Sequence, residues 1–179
     1  MTALAATHLE HARTRTLDVL APFDDQDLRR QVSPLMSPLC WDLAHIGHYE
    51  ELWLLRNLLG EPPTDARFDD LYDAFRHPRR ERAGLPILEP NGARTYVADV
   101  RGRVLDSLDR GAGDGELSRD AFVYGMVVQH EHQHQETMLA TIGLMDVPYP
   151  VPRNGASRRA TAPPSAPEVW LPGARVVMG

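Results

Sequence analysis

Apolar residues recur three and four apart along four long stretches of this chain, and nothing before the tail alternates as a half-buried strand would. The first stretch runs from Leu4 to about Ala21. Leu9, Ala12, Thr16, Val19 and Leu20 form its inner stripe, and its arginines are assigned to the outer side. Pro22 ends it, and Asp24 suits the N-cap of a short acidic turn. The second stretch runs from about Pro38 to Leu59, with Ser37 as N-cap, Pro38 at the first position, and Gly60 before Pro62-Pro63 as its stop. A third, about Ala93–Arg110, turns Tyr96, Val97, Val100, Val104, Leu105 and Leu108 inward. Ser118 caps the fourth, about Arg119–Leu144.

Between the second and third lies Glu61–Glu89, a connection long for a small bundle, with a short helical piece at Asp69–Arg76. Connections of that length are often functional. The character changes after Asp146: residues 147–167 are rich in proline, arginine and small side chains without periodicity, as in an extended linker. Residues 168–179 (EVWLPGARVVMG) resume an apolar, strand-like pattern. The expected organisation is all-α: an up-and-down four-helix bundle over 1–146, a linker over 147–167 and a short terminal strand over 168–179.

Composition narrows the function classes. At 179 residues the chain can bury the core of one ordinary domain. A net charge of −6 offers no global basic surface for nucleic acid. The single cysteine, Cys40, leaves no internal disulfide framework and fits a reducing cytoplasm. No apolar run approaches the roughly 20 residues of a membrane span, and Met1–Glu10 lacks the pattern of a secretory leader. The expectation is a soluble, cytoplasmic protein with neither nucleic acid nor membrane as partner.

The chemistry concentrates in Gln129–Glu136, QHEHQHQE, within the fourth stretch. His130 and His134, four apart, stack on one helix face about 6 Å from each other. Met126, Val127, Thr137 and Thr141 fall near that face, so the two imidazoles lie on a side that is otherwise core. His132 points elsewhere and is read as surface. An i,i+4 pair of inward imidazoles can chelate a divalent metal but needs a third ligand. The second helix offers one, since Trp41, His45, His48, Tyr49 and Leu52 share a face and either His45 or His48 qualifies. Three neutral imidazoles suit zinc or ferrous iron and leave positions open. Trp41, Tyr49 and Cys40 are read as core.

Three blocks, SPLMSPLCWDLAHIGHYEELWLLR, LYDAFRHPRRERAGLP and VVQHEHQHQETML, resemble in order the amino-terminal, DinB-like domain of the ergothioneine-biosynthesis sulfoxide synthases. The tail VWLPGARVVMG resembles the opening strand of their formylglycine-generating-enzyme-like second domain. The resemblance implies a mononuclear non-haem Fe(II) held by His45, His130 and His134, with His48 set aside. It implies an O2-dependent joining of a thiol, γ-glutamylcysteine or cysteine, to C2 of the hercynine imidazole, giving a sulfoxide. Gln133 would help hold the hercynine imidazole, and Arg79 and Arg82 would clamp the thiol substrate's carboxylates, a role that the guanidinium fork suits. For these three, an ordinary polar helix position and a solvated basic loop are the alternatives. In that family the tyrosine that controls proton delivery, and part of the hercynine pocket, lie in the second domain. The chain is therefore expected to be the metal-binding part, with no catalytic residue of its own, little activity alone, and the remaining domain as partner. Two alternatives stand beside this: a DinB-like thiol transferase or hydrolase using zinc or another divalent ion, and a non-enzymatic binding module.

Overall fold

A computed structural model of the chain describes residues 2–108, 110, 121–147 and 173. Four long helices form the bundle: α1 (Thr2–Leu20), α3 (Leu39–Glu50), α5 (Pro90–Ser107) and α6 (Phe122–Gly143). Two short ones, α2 (Asp25–Arg29) and α4 (Phe68–Leu71), lie in the connections, together with a 3₁₀ turn at Arg79–Gly84. The described residues contain no strand. Apart from Val147 and Gly173, the expected linker and terminal strand lie outside the described residues, as does the Ser118 cap. By contacts the chain divides into Met1–Tyr149 and Pro150–Gly179.

The inner stripe expected for α1 is buried at Leu9, Ala12, Thr16, Val19 and Leu20, and α1 packs on α6. Asp24 caps α2, its carboxylate accepting the Asp27 N–H at 2.8 Å. Ser37, by contrast, does not cap α3. Pro38 takes that place, and the Ser37 hydroxyl turns inward to accept from Arg82 at 2.8 Å.

α3 departs further from expectation. It packs on α2, α5 and α6, and every residue from Leu39 to His48 is buried, so it is a central helix rather than one with a single inner face. Its close approach to α5 depends on Gly47, where an added Cβ would lie 2.7 Å from Val97 Cγ1 and 3.3 Å from the Tyr96 ring. The helix does not run evenly to Leu59. Glu51–Asn57 is a π-helical turn, with the Leu58 N–H reaching back five residues to Trp53 O. Gly60, at φ +73°, then stops it, as its place in the sequence predicted.

α5 begins at Pro90, three residues before the expected start, because proline at the first position needs no N–H partner. α6 is described from Phe122, preceded by Ala121 in the left-handed region at φ 57°, and the expected start at Arg119 lies outside the described residues. α4 is shorter than the predicted Asp69–Arg76 piece. Its Asp69 accepts from Arg56 and His48, while Asp70 accepts from Arg76.

The arginines of α1 are not all on its outer side. Arg13 is buried and ion-paired with Glu50 and Glu131, each at 2.8 Å. Arg101 of α5 completes a buried tetrad, 2.6 Å from Glu50 and 3.1 Å from Glu131. Thr16 also donates to Glu131 at 2.7 Å, and Gln135 donates to Thr16 at 2.9 Å. One charged residue from each long helix thus meets in the core, two cations with two anions. Burial pushes the Glu131 carboxyl up, but the Arg13 and Arg101 guanidiniums outweigh it and hold it below its usual range.

Candidate metal centre

Facing helices place three imidazoles together: His45 from α3, and His130 and His134 from α6. Each offers a ring nitrogen, and those atoms all lie within 4.8 Å of one another. The Nε2 atoms of His45 and His130 are 3.2 Å apart. Two nitrogens sharing one ion at the usual metal–nitrogen bond length stand about 3.0–3.4 Å apart, so this pair is at ligand spacing.

The other ring nitrogens are tied back into the protein. His45 Nδ1 donates to Tyr72 O at 2.7 Å, and His134 Nδ1 lies 3.2 Å from an Asp42 carboxylate oxygen. Both contacts leave Nε2 facing its neighbours with a free lone pair. His130 instead stacks on Tyr49, with ring centroids 3.7 Å apart and planes 12° from parallel. Burial, with the neighbouring imidazoles, holds His45 far below the ordinary histidine range and His130 down at about 3. Both rings are thus neutral and able to act as ligands at neutral pH. The donor set and its spacing fit a divalent metal.

His48 is not part of this cluster. Its Nε2 is 2.9 Å from Asp69, on the side facing α4, so the choice that helical spacing left open is made by the packing. His132 is half-buried rather than a surface residue, with Nδ1 3.0 Å from Gln135 Oε1. Trp41 and Cys40 are buried, as read from sequence, and burial pushes the Cys40 thiol up to about 11, which suppresses its nucleophilicity. Tyr49 is only half-buried and forms one wall of the cluster.

The three polar positions suggested for substrate differ sharply. Gln133 is exposed, one residue before His134, and its side chain has no hydrogen-bond partner among the described residues. Arg79 is also exposed and donates to Leu35 O at 3.1 Å. Arg82 is buried and committed, donating to His77 O, Ser37 Oγ and Ala74 O at 2.8–3.0 Å. Its guanidinium sits 3.7 Å over the Trp41 ring, and Trp41 stacks on His45 with centroids 4.8 Å apart. Arg82 therefore reaches the cluster through Trp41.

Sequence reasoning passed over Asp42 and the tetrad. The available signal was a charged residue at an in-phase stripe position: Arg13 is four after Leu9, Arg101 four after Val97, Glu50 four after Ile46 and Glu131 four after Val127.

The arrangement is a helical bundle whose interior gathers a three-imidazole set from facing helices. The chain belongs to the DinB superfamily, whose family model matches residues 8–138. Three curated relatives are named hercynine oxygenase. That of Mycolicibacterium thermoresistibile is 52% identical over 155 residues, covering 80% of this chain and 33% of the relative. That of Mycolicibacterium smegmatis is 44% identical over 176 residues, covering 92% and 40%. That of Mycobacterium tuberculosis is 51% identical over 143 residues, covering 78% and 32%. The resemblance read from the three sequence blocks holds, and the chain spans about a third of the length of these relatives (32–40%). No helix among the described residues is long and apolar enough to cross a membrane.

Proposed function

We propose that this chain is the metal-binding bundle of an ergothioneine-type sulfoxide synthase. In this reading His45, His130 and His134 hold a non-haem Fe(II), and the enzyme uses O2 to join the thiol of γ-glutamylcysteine or cysteine to C2 of the hercynine imidazole in the cytoplasm. The observation that carries the reading is the cluster of three imidazoles whose ring nitrogens lie within 4.8 Å of one another, in a chain whose relatives at 44–52% identity are hercynine oxygenases. When bound, the metal supplies a redox-active Lewis acid. The protein's own part is to orient the three rings, through the Tyr72 carbonyl, Asp42 and Tyr49, while burial keeps His45 and His130 neutral.

Gln133 is proposed to meet the hercynine imidazole, since its amide is exposed beside His134 and has no hydrogen-bond partner among the described residues. Arg79 is proposed to meet a carboxylate of the thiol substrate. Arg82 can join it by exchanging one of its backbone acceptors for the substrate, and otherwise supports Trp41. The relatives' length beyond the matched third is proposed to supply the rest of the active centre, so the chain alone binds metal but turns over little.

The same donor set suits zinc, which keeps a divalent-metal thiol transferase as the second reading. Anaerobic titration of the purified chain with Fe(II), then Zn(II), separates the two, with His45→Ala as control. One equivalent of Fe(II), lost in the variant, is the expected result. Tight zinc with indifference to iron would favour the second reading, and binding of neither would overturn the metal site.

A further inference from the structure

We propose that Asp42 is the positioning residue of the metal centre: it fixes the tautomer of His134 and supplies the buried negative charge that balances a divalent cation. The inference rests on the metal-site reading above.

Asp42 lies in the first turn of α3, three residues before His45, and is 1% exposed. One carboxylate oxygen is 3.2 Å from His134 Nδ1, while the other is buried with no hydrogen-bond partner. An ionised carboxylate in such a place is costly unless a cation offsets it. Its place in the first turn helps a little, since the positive end of the α3 dipole lies there. Arg82 lies close enough for the charges of the two side chains to be felt, but it spends its donors on Ser37, Ala74 and His77. The remaining place for a counter-charge is the imidazole cluster itself.

The carboxylate also decides which His134 nitrogen is free. A neutral imidazole carries one N–H, and only the Nδ1–H form can donate to Asp42. That form leaves the Nε2 lone pair for a metal, whereas the Nε2–H form would set two acceptors against each other and block the ligand atom. His45 is held the same way by an uncharged group, the Tyr72 carbonyl. Asp42 is thus the charged outer partner of the set, and a divalent cation with three neutral imidazoles and Asp42 leaves a net charge of +1.

The test begins with the metal-free wild-type chain. Long-range 15N–1H correlation reads the His134 tautomer directly, and the Nδ1–H form is expected. Zn(II) affinity is then measured for wild type, Asp42→Asn and Asp42→Ala, with far-UV circular dichroism to verify the fold. Both substitutions are expected to weaken zinc binding about 10- to 100-fold, with Asp42→Ala also mixing the tautomers. An Nε2–H tautomer in the wild type, or affinity within about twofold in a folded Asp42→Asn, overturns the proposal. Should neither variant fold, the wild-type tautomer alone decides it. Wild type that shows the Nδ1–H form yet binds no metal supports the Asp42–His134 contact and defeats the metal-site reading instead.

Discussion

Replacing Glu131 by glutamine probes the polar centre of the bundle and gives a large, calculable effect. The carboxylate is 2% exposed and accepts from Arg13 Nε at 2.8 Å, Arg101 at 3.1 Å and Thr16 at 2.7 Å. Glutamine keeps the shape but removes the charge and turns an NH2 group toward donors. The tetrad then holds two guanidiniums against Glu50 alone, an uncompensated positive charge in the core. Breaking one partner of a buried ion pair costs about 3–5 kcal/mol, a large part of the roughly 5–15 kcal/mol that holds a domain folded. At about 2–4 °C per kcal/mol for a domain of this size, melting falls by roughly 6–20 °C. Thermal and urea melts read this out. Adding Arg13→Met restores neutrality, so the double variant should recover part of the loss, and the cycle yields the coupling between the two side chains. A melting temperature within about 2 °C of wild type in Glu131→Gln would refute the reasoning, because it would mean that water already reaches the tetrad.

Two further outcomes follow from packing and charge. Gly47→Ala places a methyl within the reach of Val97, whose branched side chain has little freedom to move, so about 1–3 kcal/mol of stability is lost, while Gly102→Ala, with nothing within 4 Å, is tolerated; equal melting temperatures for the two variants would contradict the close approach of α3 and α5. Asp69 is held down at about 2, chiefly by its hydrogen bonds to Arg56 and then by His48, against an ordinary value of 3.8. A depressed carboxylate contributes stability above its unfolded value and loses it as pH falls toward the folded one. Because the side chain is 45% exposed, screening limits the gain to about 1 kcal/mol or less. Asp69→Asn should therefore melt slightly below wild type at pH 7, and the gap should shrink below about pH 5 and close only as pH falls to about 2 and below; a gap that widens on acidification would reverse the assignment.

The residue pattern by itself determined the four long helices, the Asp24 cap, the Gly60 stop and the pairing of His130 with His134, because each depends on local spacing or local backbone chemistry. It left His45 and His48 equivalent, since both lie on the inner side of one helix and only the neighbours distinguish them. The fold decides by bringing α6 to His45 and Asp69 to His48. The π turn after Glu50, the central burial of α3 and the inward Arg13 and Arg101 were likewise decided in three dimensions. A lone arginine in an apolar stripe is unfavourable on its own helix and becomes acceptable only when carboxylates from other helices arrive to neutralise it. The same holds for Asp42: its sequence neighbours say nothing of His134, some ninety residues away, and only the packing of α3 on α6 joins them.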